Sequence, residues 1–344
     1  MQNNNHNISK PLVSIDCITY NHEGFISDAL EGFLMQKTDF KFEIIIHDDA
    51  STDQTANIIR KYEKKYPKII QPIYQKENQY SQGVEISMLF QFPRARGKYI
   101  AICEGDDYWT DPYKLQKQVD FLEAYPDYGL IHCNFDKLYE KSGKLVQNTN
   151  KNNRMLNSSK IDNFNGLLKY QFSIGTLTVM ARTQLLSKAI NNINFSKYLM
   201  TDLPLWLEIS QLTKIHYLRD SVGVYRKVQG SVSNDRTTYR AFIESGLQIR
   251  LDFAKKYSAP VEIKNSLQKD YLKSILIKAF YSKDQILRSQ YYKKMEEYNL
   301  KMSLLDRLLY LSITNKTLHI FLMIFSKIQD IFIFSLKWIV KKNV

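Results

Sequence analysis

Glu104-Gly105-Asp106-Asp107-Tyr108-Trp109 follows a short apolar run, Lys98 to Cys103, and so sets carboxylates at the carboxyl end of an expected buried strand. In open α/β sheets that end is where ligands bind. Adjacent carboxylates repel one another and lose hydration in such a place, a cost that a divalent cation or a set of hydroxyl donors offsets. The motif therefore reads as a metal and diphosphate site. The same residues suit a solvated acidic turn, because Asp readily hydrogen-bonds its own local backbone. On the motif alone the two readings stand level.

A second acidic strand end tips the balance toward a ligand. Phe42 to His47 is apolar and runs into Asp48-Asp49-Ala50-Ser51-Thr52-Asp53 ahead of an expected helix. A third apolar run, Leu12 to Ile18, ends in Thr19-Tyr20-Asn21-His22-Glu23. Three strands that deliver polar residues to one end imply one crevice, and that geometry suits a nucleotide.

The elements that must position these residues alternate between strand and helix up to about residue 135. Ala56, Ile58, Ile59 and Tyr62 give a helix that Thr52 or Asp53 caps and that runs toward Pro67. Ile69 to Tyr74 is an expected strand, with Pro72 pointing to a sheet edge. Glu77 to Gly83 reads as loop and Val84 to Phe92 as a helix beneath the nucleotide. Pro112 suits the first position of a helix over Tyr113 to Tyr125, and Tyr128 to Cys133 returns as a strand. The succession predicts a mostly parallel sheet with helices on both faces.

Gln147 to Arg154 is crowded with amide and basic side chains and reads as an exposed, mobile loop, either a lid over a ligand or a plain surface insertion. Beyond it, Phe172 to Met180 is an expected strand lining a second substrate, and Leu203 to Leu212 a helix. Ile215 to Tyr217 and Val222 to Val228 are expected as two short strands, and Tyr239 to about Asn299 as helical.

The chain has 344 residues, 44% hydrophobic and 24% charged, enough for one large α/β core with a helical segment appended, which excludes general disorder. Cys17, Cys103 and Cys133 sit singly in apolar runs and are expected as reduced core residues of a cytosolic protein. The polar start, Met1 to His6, lacks the apolar stretch of an export signal.

Of the formal net charge of +13, ten units arise between Thr237 and Val344, where 19 Lys and Arg face 9 Asp and Glu. No zinc spacing, helix-turn-helix or base-reading strand accompanies the excess, so an anionic membrane surface is the expected partner and nucleic acid is not. Thr317 to about Lys342 is apolar over most of a helical circumference, with Lys327, Asp330, Lys337 and Lys341 in one sector. Lys327, Gln329 and Asp330 interrupt it too centrally for a spanning helix. An amphipathic helix in the membrane interface, with Trp338 near the headgroups, is one reading, and a helix packed on protein is the other.

Val13-Ser14-Ile15 leading to Thr19-Tyr20-Asn21, then Asp48 to Asp53, then Gly97-Lys98-Tyr99-Ile100 leading to Gly105-Asp106-Asp107, resemble in order and spacing the family 2 glycosyltransferases of GT-A fold. The likeness is close over residues 10–135, weaker to 235 and absent beyond. It implies a GT-A catalytic domain over 1–235, nucleotide-binding over 10–135 and acceptor-binding over 136–235, with a helical C-terminal region over 236–344. It also implies a nucleotide diphosphate sugar donor, a uridine diphosphate sugar first, and a glycan or lipid-linked acceptor at the inner face of the cell membrane.

The resemblance further implies roles for single residues. Asp107 would hold Mn²⁺ or Mg²⁺, and Asp106 the ribose or the metal shell. Tyr20 would stack on the base beside Thr19 and Asn21, with Asp49 accepting the uracil imino hydrogen. Glu23 and Asp48 join this set, although Asp48 equally suits hydrogen bonds within its own loop. Asp202 in Thr201-Asp202-Leu203-Pro204 would be the base of an inverting displacement, against the alternative of an N-cap. Arg226 would pair with phosphate oxygens. Glu104 stands where the family more often has Asp, and its role is open. So too is the basic residue many relatives carry near Gly83, where this chain has Val84 and Glu85. A nucleotidyltransferase is the alternative enzyme, although the Gly-rich phosphate loop it needs after the first strand is missing, and a non-catalytic membrane scaffold is the alternative without chemistry.

Overall fold

The computed structural model describes residues 10–156, 162–228 and 236–329. The chain forms two units, one of Met1–Asn163, Ile174–Lys197 and Thr201–Thr238, the other of Phe164–Ser173, Tyr198–Met200 and Tyr239–Val344.

The first unit is built on a sheet whose strands run β1 (Val13–Thr19), β2 (Phe42–Asp48), β3 (Ile70–Tyr74), β4 (Tyr99–Ile102), β5 (Tyr108–Trp109), β6 (Tyr128–Tyr139), β7 (Lys144–Val146), β8 (Met180–Arg182) and β9 (Lys214–Lys227). Their spatial order is β3-β2-β1-β4-β8-β6-β9-β5, with β7 beside β6. Parallel pairing holds from β3 to β4, and β8 then enters antiparallel, so the sheet is mixed beyond the nucleotide half. The apolar runs of β1, β2 and β4 are buried on both faces, as strands of a covered parallel sheet must be. Helix α1 (Ile26–Leu34) covers the sheet with Ile26, Ala29, Leu30 and Phe33, spaced along one helical face. Helix α2 (Thr55–Lys65) packs through Ile59 and ends in Lys64 and Lys65, favourable charges at a helix C-terminus. Helices α3 (Lys114–Ala124), α5 (Thr183–Asn191) and α6 (Asp202–Leu212) follow in this unit, whereas α4 (Asn163–Leu168) falls from Phe164 onward in the second.

Pro72 falls in the edge strand β3, where its missing N–H costs no ladder bond. Four expectations change. Val84 to Phe92 is a π turn over Ser87–Gln91 followed by a 3-10 turn, because Gln91 turns inward and donates to the carbonyls of Cys17 and Ile45 at 3.1 and 3.0 Å. Phe172 to Met180 forms only a 3-10 turn, Thr176–Thr178, before the short β8. The two strands expected over 215–228 are one, β9, which crosses register irregularities while pairing with β6. Gln147 to Arg154 is tied to β6: Asn150 is 5% exposed, and the backbones of Asn148, Thr149 and Asn150 donate to Asp136, Phe135 and Asn134.

In the second unit, α7 (Arg236–Lys256), α8 (Val261–Ser282), α9 (Gln285–Glu297), α10 (Leu304–Ser312) and α11 (Lys316–Gln329) follow one another. Asp284 caps α9 through the Ile286 and Leu287 amides, and Ser303 and Asp306 close a capping box on α10. Leu276 and Phe280 of α8, Tyr291 of α9, Leu309 of α10 and Leu322 of α11 share a core. The described part of the tail thus packs through His319 and Leu322, while Ile320, Phe321 and Ile324 are exposed. Asp330 to Val344, with Trp338 and Lys341, lie outside the described residues, among which no helix is long and apolar enough to cross a membrane.

Candidate active site

The register of β1, β2 and β4 is fixed at their amino ends, away from the acids. Buried Glu43 on β2 accepts from the Ser14 hydroxyl at 2.7 Å and from the Arg96 backbone N–H at 2.9 Å, and the Gly97 N–H donates to Ser14 Oγ at 2.9 Å. A Cβ on Gly97 would lie 2.6 Å from the Ser14 nitrogen, so only glycine lets β4 begin this close to β1. The carboxyl ends then coincide, and Gly105 folds the acidic turn onto β1 where a Cβ would meet Thr19 Oγ1 at 2.6 Å.

On that turn, one carboxylate oxygen each of Glu104, Asp106 and Asp107 lies within 4.8 Å of the other two. Asp107 is 1% exposed; its Oδ1 accepts from the Arg226 N–H at 2.8 Å, while its Oδ2 has no hydrogen-bond partner among the described residues. Burial, then the charges of Asp106 and Glu104, hold the Asp107 carboxyl well above the usual carboxylate range. Burial, with Asp106, Asp202 and Asp16 adding to it, pushes Glu104 up to about 8. Arg226, through its N–H and its charge, offsets only part of this at Asp107, and such shifts mark acids whose charge is incompletely compensated. Hard oxygen donors around a buried, unfilled Asp107 oxygen fit Mg²⁺ or Mn²⁺.

Beside this cluster opens a cavity lined by Asp16, Ser87, Glu104, Thr176, Thr201 and Asp202, with Met88, Phe92, Leu205 and Trp206 as apolar wall. Its lining carries three carboxylates and no Lys or Arg among the described residues. Asp202 opens α6 as its first helical residue, with Thr201 in the capping position and no side-chain cap bond, so the N-cap alternative for Asp202 is not the arrangement found. Its Oδ1 accepts from the next residue's N–H, Leu203, at 2.7 Å. Asp16 sits mid-strand in β1 and accepts from the Ser87 hydroxyl at 2.7 Å; burial raises it to about 7 against that bond. Asp16, Ser87 and Trp206 were not singled out from the sequence. An acid inside the apolar run Ser14 to Ile18 was the available signal.

The nucleotide edge is tied differently. Asn21 Oδ1 accepts from the Thr52 N–H at 2.8 Å, Glu23 Oε2 from the Gln54 N–H at 2.8 Å, and Asp53 from the N–H groups of Glu23 and Thr55. These bonds stitch the loop after β1 to the loop after β2. Thr19 is fully buried, its hydroxyl 3.1 Å from His22 Nδ1, while Tyr20 is 42% exposed at the same edge. Burial raises the Asp48 carboxyl and hydrogen bonds from Ser51 pull it back.

Two of the expected ligand residues are engaged within the protein. Asp49, expected to meet a uracil, is 1% exposed and already accepts from the Gln79 and Tyr80 N–H groups at 2.8 and 3.0 Å. Arg226, expected to face phosphate, is 7% exposed and donates to Glu140 at 2.9 Å and the Asp106 carbonyl at 3.1 Å, with Asp28 as a further ion-pair partner. Its backbone and guanidinium clamp the acidic turn onto β9, a contact between residues 119 apart that no local spacing reveals.

The family model described as "Glycosyl transferase family 2" matches residues 14–185, half of the chain. An uncharacterized protein of Mycobacterium tuberculosis is 45% identical over 132 residues, which are 38% of this chain and 37% of that protein. The chain therefore matches little over a third of that relative's length. The putative teichuronic acid biosynthesis glycosyltransferase TuaG of Bacillus subtilis is 29% identical over 229 residues, 66% of this chain and 83% of TuaG. Among solved structures, S. aureus TarS 1-349 in complex with UDP-GlcNAc superposes with a TM-score of 0.60 at 20% identity, covering 89% of this chain and 88% of that one. This is a likeness of GT-A fold.

Proposed function

The chain belongs to glycosyl transferase family 2, and from that membership we propose that it moves a sugar from a nucleotide diphosphate sugar to a hydroxyl of a glycan or lipid-linked acceptor, in the synthesis of a surface polysaccharide. The observation that carries this reading is the acidic turn, three carboxylates within 4.8 Å of one another with Asp107 Oδ2 buried and unfilled, opening on the cavity that Asp202 lines. TarS was crystallised with UDP-GlcNAc, so uridine diphosphate sugars are the donors to test first.

The chemistry is a single inverting displacement. The acceptor oxygen bonds to the anomeric carbon as the carbon–oxygen bond to the diphosphate breaks on the opposite face, and the electron pair leaves with the nucleoside diphosphate. The acceptor proton passes to the Asp202 carboxylate, since a hydroxyl is a weak nucleophile until a base takes its proton. Asp106 and Asp107, with Glu104 beside them, would hold Mg²⁺ or Mn²⁺, which when bound would supply positive charge against the departing diphosphate. Asn21, Glu23, Asp48, Asp49 and Arg226 hold the loops that frame the nucleotide, and Tyr20 offers its exposed ring to the base.

The C-terminal basic excess and the exposed Ile320, Phe321 and Ile324 favour a location at the inner face of an anionic membrane. The decisive experiment is a thermal-shift screen of nucleotide sugars with Mn²⁺, followed by turnover assays. One donor should stabilise the parent and not Asp107→Ala, and Asp202→Asn should lose about 10²–10⁴-fold in kcat while still binding that donor. Equal shifts in parent and Asp107→Ala would remove the metal assignment, and undiminished turnover in Asp202→Asn the base.

A further inference from the structure

The cavity beside the acidic turn holds two buried polar atoms that are unpaired among the described residues. Asp16 is 3% exposed and Trp206 2% exposed, and neither Asp16 Oδ1 nor Trp206 Nε1 has a hydrogen-bond partner among the described residues. Both side chains line the same cavity, Asp16 from the middle of β1 and Trp206 from α6. A buried polar atom without a partner is costly to keep, and a folded chain usually finds one for it. Two in one cavity point to a ligand that brings its own donor and acceptor.

A metal ion does not fit that requirement. The acids whose oxygens come within common reach of one ion are Glu104, Asp106 and Asp107 among the described residues, and Asp16 stands outside that group. An indole N–H, moreover, donates and cannot bind a cation through nitrogen. A hydroxylated ring meets all three features of the cavity. Its hydroxyls donate to a carboxylate and accept from an N–H, and its C–H faces pack on Met88, Phe92 and Leu205.

Position narrows the ligand further. Glu104, on the turn assigned to the diphosphate, and Asp202, assigned to the acceptor's proton, line this same cavity. What lies between a leaving diphosphate and an incoming hydroxyl is the sugar in transfer. We propose that Asp16 and Trp206 are the residues that read the transferred sugar, the Asp16 carboxyl taking a hydrogen bond from one ring hydroxyl and the Trp206 N–H giving one to an oxygen substituent of the same ring. Ser87 orients the Asp16 carboxyl through its other oxygen. This inference rests on the glycosyl-transfer reading and adds to it the groups that set donor choice.

Full-length parent, Asp16→Ala, Asp16→Asn, Ser87→Ala and Trp206→Phe are titrated with Mn²⁺ and either UDP or the UDP-sugar that most stabilises the parent among UDP-glucose, UDP-galactose, UDP-GlcNAc and UDP-GalNAc. Asp16→Ala and Trp206→Phe should each bind the UDP-sugar at least tenfold more weakly and UDP within twofold of the parent, because a site built to hydrogen-bond a substrate group loses discrimination when the partner is removed. Asp16→Asn, which keeps an acceptor oxygen, should recover part of the loss, and Ser87→Ala should stay within threefold. Against a panel of deoxy-sugar donors, one hydroxyl deletion should weaken the parent and leave Asp16→Ala unaffected. Equal weakening toward UDP and UDP-sugar, or none toward either, overturns the proposal; should Asp16→Ala fail to fold, Trp206→Phe decides by the same comparison. A parent that binds UDP and the UDP-sugar equally overturns the sugar pocket alone, whereas one that binds no nucleotide at all brings down the glycosyl-transfer reading with it.

Discussion

The loops after β1 and β2 and the cavity beside the acidic turn are both rich in acids, yet they treat them in opposite ways. In the loops most carboxylates accept from backbone amides, Asp49 from two, Glu23 from that of Gln54, and Asp53 from those of Glu23 and Thr55, with Asp48 Oδ1 the exception, buried and without a partner among the described residues. At the turn and the cavity, Asp107 Oδ2 and Asp16 Oδ1 are buried and unpaired. A carboxylate that accepts from backbone amides holds its loop in place, whereas a buried oxygen without a partner costs stability and is poised for one from outside. The comparison separates acids that build the crevice from acids that serve it.

Asp107→Asn tests the contrast where the effect is largest. Turnover should fall about 10³-fold with loss of charge stabilisation at the leaving group. Stability without added cation should rise at neutral pH. Because the folded Asp107 pKa lies above its unfolded value, the unfolded chain ionises first and the parent loses stability as pH climbs above about 4; the variant escapes that loss. Urea denaturation of both proteins at pH 5 and pH 7.5 measures it, and a destabilised variant would put Asp107 among the structural acids.

Asp49→Ala should do the reverse, costing about 2 kcal/mol of stability by stranding the Gln79 and Tyr80 amides. A variant as stable as the parent but weak in nucleotide binding would move Asp49 across the divide.

The last effect, spread over pH, concerns a buried group with no part in the site. Burial, with His216 adding to it, lowers His132 to about 3, so the folded chain stays unprotonated there while the unfolded chain takes up a proton below about 6.5. Stability attributable to His132 is therefore present above that pH and is lost as pH falls toward 3. Relative to His132→Phe, the parent should lose up to about 1.4 kcal/mol per pH unit between 6 and 4. Parallel stability curves for the two proteins would refute this.

Much of the nucleotide half was legible because parallel strands covered on both faces leave largely apolar runs: β1, β2 and β4 fall within a residue or two of the expected bounds, as does the edge strand β3. The helix expected over Tyr113 to Tyr125 is α3, which starts two residues after Pro112, and the one expected over Leu203 to Leu212 is α6, which starts at Asp202. Failures came where a distant partner overrode local pattern. Phe172 to Val179 has strand-forming composition, yet the protein uses Leu177 to receive the Trp109 indole N–H at 2.7 Å through a 3-10 turn. The helical pattern of Val84 to Phe92 yields to the inward bonds of Gln91, which carry Ser87 to Asp16.

The sequence by itself determined which groups stand at the strand ends, since an apolar run that gives way to Asp or Glu marks where the covered strand stops. It could not tell a loop-building carboxylate from a ligand-binding one. That distinction depends on whether an N–H from elsewhere reaches the oxygen. Gln79 and Tyr80 reach Asp49, the Arg226 backbone reaches one oxygen of Asp107, and nothing described reaches the other or Asp16 Oδ1. Only the tertiary structure assigns those partners, because hydrogen bonds are directional and short, and chain segments as far apart as 119 residues must arrive together to make them or leave them open.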